Sequence, residues 1–254
     1  MKILLTTANA RYTHCAFGLR CLAAALKACG YEATIREFTI QQSAFEMAEA
    51  LLDAGPDIIG FGVYIWNVEL TTHVASIIRS VSPGTILVLG GPEMTENDDN
   101  KPLLEVADFI ISGEGEEALC NLIGLLAGGE LPASRSVSAP PPALDTRLSP
   151  YALYTEEDIR NRIIYVESSR GCPYRCAFCL SSRDEKVRNI PLPVFFADMT
   201  LLLERGVRLF KFTDRTFNID DGRVVEILRF FLLRSMPEMQ LHFEIMPDRL
   251  SDRI

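Results

Sequence analysis

No apolar run in the 254 residues approaches the roughly 20 needed to cross a bilayer, so no membrane span is expected. The opening MKILLTTANARYTH has one lysine and a very short apolar stretch, which reads as a strand entering a loop rather than as a signal peptide. Cysteine lacks an even, regular framework: there are seven, three of them clustered, which fits a reducing interior and a cytoplasmic location. Basic charge is short as well. Lys and Arg number 25 against 34 Asp and Glu, the net charge is −9, and KVR at 186–188 is too short to make a groove, so no nucleic-acid partner is expected. Missing too are a Gly-x-Gly-x-x-Gly after the first strand and a phosphate-loop lysine motif, which ranks nicotinamide and nucleoside triphosphate binding low. A small-molecule, peptide or lipid-like substrate stays open.

What is present is a core-forming composition, 48% hydrophobic, in a chain long enough for one large domain or two ordinary ones. Apolar strands are expected at 2–7, 32–38, 57–64, 85–90 and 108–113, separated by helices at 17–29, 43–53, 67–79 and 116–126. Strands of this kind, alternating with helices, predict a five-stranded doubly wound parallel α/β sheet over residues 1–129. Gly62, Gly90 and Gly91 then fall at the carboxyl edge of the sheet, where open α/β folds bind ligands, although glycines there also simply make turns. Phe17, Cys21, Ala25 and Cys29 share a helix face, so Cys21 and Cys29 read as small core side chains. Glu114, Glu116 and Glu117 open a helix, where carboxylates favour the positive end.

Composition shifts to Gly, Pro and Ser after Gly128, with three prolines at 140–142, which predicts an extended linker over 130–161. A new unit is expected over 162–254: strand RIIYVES, a cysteine loop, a helix at 192–205, strand VRLFKFTD, a helix at 221–234, and strand QLHFEIMP. Strand, loop, helix, strand, helix, strand is the opening of a β/α (TIM) barrel, whose functional residues lie at strand ends.

The cysteine loop, RGCPYRCAFCLS, carries the strongest chemical signal. Cys172, Cys176 and Cys179 are spaced so that one short loop can turn three sulfurs to a common centre. A structural zinc site usually wants four protein ligands. Here there is one Cys-x-x-Cys pair, the next thiol upstream is Cys120, no cysteine follows Cys179, and the only downstream histidine, His242, starts a strand. Zinc remains the alternative, but the ligand count favours an iron-sulfur cluster with one corner free of protein. Gly171 allows close backbone approach, Pro173 restricts the first turn, and Phe178 offers an aromatic face to a cofactor or covers the cluster.

Cys-x-x-x-Cys-x-aromatic-Cys resembles the cluster motif of the radical S-adenosylmethionine enzymes. The resemblance implies a 4Fe-4S cluster on Cys172, Cys176 and Cys179, S-adenosylmethionine on its open iron, Phe178 near the adenine, and reductive cleavage to a 5'-deoxyadenosyl radical. KILLTTANA, GLRCLAAALKACGYEATI, PDIIGFGVYIWN, ILVLGGPEMT and DFIISGEGEEAL resemble the cobalamin-binding domain found ahead of many such radical domains. That likeness implies cobalamin as a further cofactor, with Gly90 and Gly91 passing its nucleotide tail and residues after strands one and three, Gly62 among them, near the corrin. The Asp-x-His-x-x-Gly of histidine-on domains is absent, since YTHCAFG has Tyr12 for aspartate and Gly18 one place late, so His14 is expected to line the pocket or anchor its loop rather than to bind cobalt. The common Gly-Gly-Glu of the radical family is absent as well. Asp214 and Thr216 stand in its place by position, and Glu244 lies near the end of the third barrel strand, all three implied to contact S-adenosylmethionine.

The resemblance implies a cobalamin-dependent radical enzyme that transfers a methyl group to, or rearranges, an unactivated carbon of a small molecule or peptide, fed by a reductant such as flavodoxin or ferredoxin. Two alternatives stay open: a radical enzyme whose first domain does not bind cobalamin, and a non-catalytic cobalamin- or metal-binding module. A methylthiotransferase fits less well, because its first domain would bring three cluster cysteines of its own. Only 75 residues follow Cys179, so the barrel is expected to be incomplete.

Overall fold

The structure is a computed structural model that describes residues 1–94, 102–179, 186–252 and 254. Thr95, Leu180 and Ser181, which end two of the motifs above, lie outside the described residues. The chain forms two compact units, residues 1–143 with 147–153, and residues 144–146 with 154–254.

The first unit is built on a parallel sheet of strands β1 (Ile3–Asn9), β2 (Ala33–Thr39), β3 (Ile58–Gly62), β4 (Ile86–Gly90), β5 (Phe109–Ile111) and β6 (Ser136–Val137), in the order β2-β1-β3-β4-β5-β6. All seven residues of β1 are buried, as a central strand covered on both faces requires. Alternate side chains divide between two cores. Leu4, Ile59, Phe61, Leu87 and Leu89 pack with helices α2 (Ala44–Leu52), α3 (Val68–Val81) and α4 (Pro102–Val106). Ile3, Leu5, Ile58 and Val88 pack with α1 (Phe17–Ala28) and α5 (Gly115–Ala127). Ser43 starts α2 with a reciprocal capping box, its hydroxyl accepting from the Glu46 N–H at 3.2 Å while Glu46 accepts from the Ser43 N–H at 2.9 Å. The sheet thus has six strands where five are expected from the sequence. β6 is two residues long and sits inside the Pro- and Ser-rich stretch, too short for any alternation to reveal it.

The second unit pairs β7 (Ile164–Val166), β10 (Leu209–Phe212) and β11 (Gln240–His242) in parallel, order β11-β10-β7. Helices α7 (Leu192–Glu204) and α8 (Asp221–Leu232) cover one face through aromatic contacts, Phe195 and Phe231 each 6.0 Å from Phe212 and Phe210 5.2 Å from Phe231. Two elements stand where the sequence reads as linker: a single 3-10 turn at Tyr151–Leu153 in the first unit, and helix α6 (Glu156–Asn161), capped by Thr155, in the second. Both follow from aromatic burial, Tyr151 being 0% exposed and Tyr154 1%. A further pair of strands, β8 (Ser169–Arg170) and β9 (Arg188–Asn189), runs antiparallel and closes the neck of the cysteine segment.

Candidate functional site

In the first unit the strand order reverses direction between β1 and β3, so a crevice opens at their carboxyl ends. Asn67, 1% exposed, ties these ends together. Its amide nitrogen donates to Thr7 Oγ1 at 3.0 Å, the Ala8 carbonyl at 3.0 Å and the Gly62 carbonyl at 3.2 Å, and its oxygen accepts from the Tyr64 N–H at 2.8 Å. Trp66 donates its indole N–H to Ala8 O at 3.2 Å and stacks on Tyr64 at 4.6 Å with 7° between the rings. Trp66 keeps nearly half its surface exposed, so the pair presents a flat aromatic surface at the sheet edge.

Gly62 ends β3, Gly90 ends β4, and Gly91 follows with φ +112°. A Cβ on Gly91 would press on the Val63 carbonyl oxygen and lie 2.8 Å from the Val63 nitrogen. That glycine is therefore demanded by the approach of the two strand ends themselves. A Cβ on Gly90 would meet nothing nearer than 3.8 Å. His14 sits in the turn after β1, half-buried, where its carbonyl accepts from Asn9 Nδ2 at 3.0 Å. The same Asn9 amide donates to Glu37 at 2.8 Å, and Glu37 forms a buried ion pair with Arg20, which also donates to the Ala16 carbonyl at 3.1 Å. The loop carrying His14 is thereby held from β2 and α1.

In the second unit the cysteine segment leaves β7 through β8. Cys172 is 7% exposed, and its sulfur lies 3.6 Å from Thr216 Oγ1. Cys176 and Cys179 are half-exposed and share a turn in which the Cys179 N–H donates to the Cys176 carbonyl at 3.0 Å. Phe178 is 94% exposed. Among the described residues, no three Cys, His, Asp or Glu side chains form a group that could hold a metal ion. Cys172 is drawn inward against Thr216, while the other two ride on the turn. The donor set itself, three soft thiols within eight residues, fits an iron-sulfur cluster by its chemistry.

Asp214 and Thr216 follow β10, and both are buried. Asp214 turns inward and accepts from the Ser168 N–H at 2.9 Å, the Ser168 hydroxyl at 2.6 Å and the Ser169 hydroxyl at 2.7 Å. Burial pushes its carboxyl above the ordinary range against the pull of those hydrogen bonds. The Glu244 side chain is exposed, and its carbonyl accepts from the Phe217 N–H at 2.8 Å. Asn218 brackets the neighbouring backbone, exchanging two 2.8 Å hydrogen bonds with Met246. Sequence reasoning finds Asp214 and Thr216 but not their partners. Ser168, Ser169, Asn67, Asn9 and Arg223 carry no spacing that marks them, since each acts across the fold.

Residues 3–123 match the family model described as "B12 binding domain". Over those residues the chain is similar to B12-binding domains. It is 28% identical to an anaerobic magnesium-protoporphyrin IX monomethyl ester cyclase of Cereibacter sphaeroides, over 85% of this chain and 40% of that protein. It is 27% identical to the cobalamin-dependent radical SAM methyltransferase TokK of Streptomyces tokunonensis, over 53% of this chain and 23% of that protein. In fold it is similar to the cobalamin-dependent S-adenosylmethionine radical enzyme OxsB, TM-score 0.75 at 18% identity over 94% of this chain and 38% of that one. The radical S-adenosylmethionine methyltransferase TsrM of Kitasatospora setae gives TM-score 0.70 at 19% identity, over 94% of this chain and 52% of that one. At such identities the two structures speak for the fold alone. The resemblance to radical S-adenosylmethionine proteins with a cobalamin-binding domain holds: the residues that match the B12-binding model are followed by parallel βα units like the opening of a barrel. The chain spans less than half the length of these curated relatives.

Proposed function

We propose that the protein is a cobalamin-dependent radical S-adenosylmethionine enzyme acting on an unactivated carbon, with methyl transfer favoured over rearrangement. The observation that carries this reading is the order of parts: a stretch that matches the B12-binding model, then a three-thiol loop leaving the first strand of a parallel β/α unit. Cys172, Cys176 and Cys179 would hold a 4Fe-4S cluster, and Phe178, exposed beside the last thiol, would face the adenine of S-adenosylmethionine. Thr216 and Glu244 would line the same cofactor. Gly62, Gly90 and Gly91, with His14 on its braced loop, would border cobalamin, and the Tyr64–Trp66 stack offers that planar ligand an apolar surface. Bound there, the cluster would supply the electron that splits S-adenosylmethionine, and cobalamin would carry the methyl group. The protein's own part is to keep the crevice edge rigid through Asn67 and to present the thiols on a closed neck. A small molecule or peptide as substrate, a flavodoxin or ferredoxin as reductant, and a cytoplasmic setting belong to the same proposal. Among the described residues, no helix is long and apolar enough to cross a membrane.

A second reading keeps the radical chemistry and gives residues 3–123 a purely structural part. It is favoured by Gly91, whose conformation Val63 explains without any ligand, and by the absence of Asp-x-His-x-x-Gly. Anaerobic reconstitution with iron, sulfide and hydroxocobalamin, followed by quantitation of all three and a deoxyadenosine assay, separates the readings. Retained iron, sulfide and corrin support the first, and iron and sulfide without corrin support the second. Zinc retained in place of iron would sink both.

A further inference from the structure

The cysteine segment is fastened at its base by a buried polar network. Asp214, 1% exposed, has both carboxylate oxygens occupied by Ser168 and Ser169, the residues that lead from β7 towards Cys172. From α8, Arg223 Nη2 donates to the Ser168 carbonyl at 2.8 Å and to the Ile190 carbonyl at 2.7 Å. Ile190 follows β9, and its N–H donates to the same Ser168 carbonyl at 2.9 Å. One guanidinium therefore pins the outgoing and the returning ends of the segment together. Glu167 adds a second brace, accepting from Arg170 Nε at 2.9 Å and Nη2 at 2.8 Å. Thr216, two residues beyond Asp214, meets the sulfur of Cys172.

The ladder between β8 and β9 is only two residues long on each strand, and so short a pairing has little independent stability. Burying a carboxylate, and half-burying a guanidinium, is costly unless each is hydrogen-bonded. A turn after β7 needs neither. Their presence is accounted for if the direction in which the chain leaves β7 has to be fixed.

We propose that Asp214 and Arg223 are positioning residues that set the exit of the cysteine segment and seat Cys172 against Thr216. Asp214 then acts on the thiol loop through Ser168 and Ser169 rather than by touching a cofactor. The inference rests on the cysteine segment being the ligand loop of the proposed function.

The test uses the full chain under reducing, metal-free conditions, with native alkylation by iodoacetamide read cysteine by cysteine in a mass spectrometer. In the wild type Cys172 should react about tenfold or more slowly than Cys176 and Cys179, because local opening must precede attack. Asp214→Asn should bring Cys172 to within about threefold of the other two, and Ser169→Ala, which removes one donor only, should fall between, as expected for graded loss of local protection. Val224→Ala, a 1% exposed core position of α8, serves as the control for general destabilisation and should leave the order unchanged. Cys172 equally protected in Asp214→Asn and wild type would overturn the proposal, as would equal exposure in Val224→Ala. Should Asp214→Asn not fold, Ser169→Ala decides by the same criterion. Iron uptake is measured in parallel: a wild type that takes up no iron yet shows this alkylation pattern defeats the functional reading and leaves the positioning role standing.

Discussion

Replacing Asn67 with alanine probes the edge on which the cobalamin proposal depends. Three of its four partners keep another hydrogen bond: Thr7 Oγ1 donates to the Gly62 carbonyl at 2.6 Å, which serves both groups, and Ala8 O keeps the Trp66 indole. The Tyr64 N–H loses its Asn67 acceptor. A part-buried donor that loses its acceptor costs about 1–3 kcal/mol, and the lost bonds to Ala8 and Thr7 add about 1 kcal/mol, so Asn67→Ala should destabilise the first unit by about 2–4 kcal/mol. For a unit of about 150 residues that lowers the melting temperature by about 5–12 °C. Asn67→Asp should do worse at pH 7, because a carboxylate oxygen would then face the Ala8 and Gly62 carbonyls. Such a carboxyl has its folded pKa raised, so its penalty is present above that pKa and shrinks as pH falls through it, when the protonated oxygen can donate. Thermal melts followed by circular dichroism and by Trp66, the sole tryptophan, give both readouts. The reasoning fails if Asn67→Ala melts within about 1 °C of wild type, well inside the span expected for such a loss, or if acid does nothing for Asn67→Asp.

Gly91→Ala should cost about 3 kcal/mol or more in a denaturant titration, since φ +112° and the Val63 backbone both oppose a methyl group, whereas Gly129→Ala, at φ +76° with nothing within 4 Å, should cost about 1 kcal/mol. Arg20→Met should destabilise by about 3–5 kcal/mol, because it takes the cation from the buried Glu37 carboxylate and leaves it the neutral Asn9 amide, and adding Glu37→Leu should restore part of the loss. For Asp214, a folded pKa raised above 3.8 means the native state holds its proton to higher pH than the unfolded chain. Wild-type stability relative to Asp214→Asn should therefore rise on acidification towards pH 4 and decline as pH climbs through the raised value, as urea midpoints across pH would record. Cys120, whose thiol is pushed up by burial first and then by Cys29, Glu117 and Glu116, should resist alkylation at pH 8 in the native chain, while exposed Cys29 reacts.

The sequence by itself determined the architecture, because period and composition are local properties. The apolar start of β1, the helix face of Phe17 and Cys21, and the stop at Gly30 are legible in a window of a few residues, and so is the spacing of the three thiols, whereas Cys29, expected in the core beside Cys21, is exposed at the end of α1. Strands of two residues escaped that window. β6, β8 and β9 exist because a neighbour supplies the other half of each ladder. Only the tertiary structure decided what the polar residues do. Asp214 is legible as a polar residue after a strand, but the donors that turn it inward lie 45 and 46 positions earlier, and Asn67 reaches Thr7 across 60. Hydrogen bonds of that span depend on where the strands come to rest, which is settled by packing. The same packing puts Cys172 against Thr216 and Cys176 and Cys179 together on one turn, so the motif gives the spacing of the thiols while the fold decides what each of them meets.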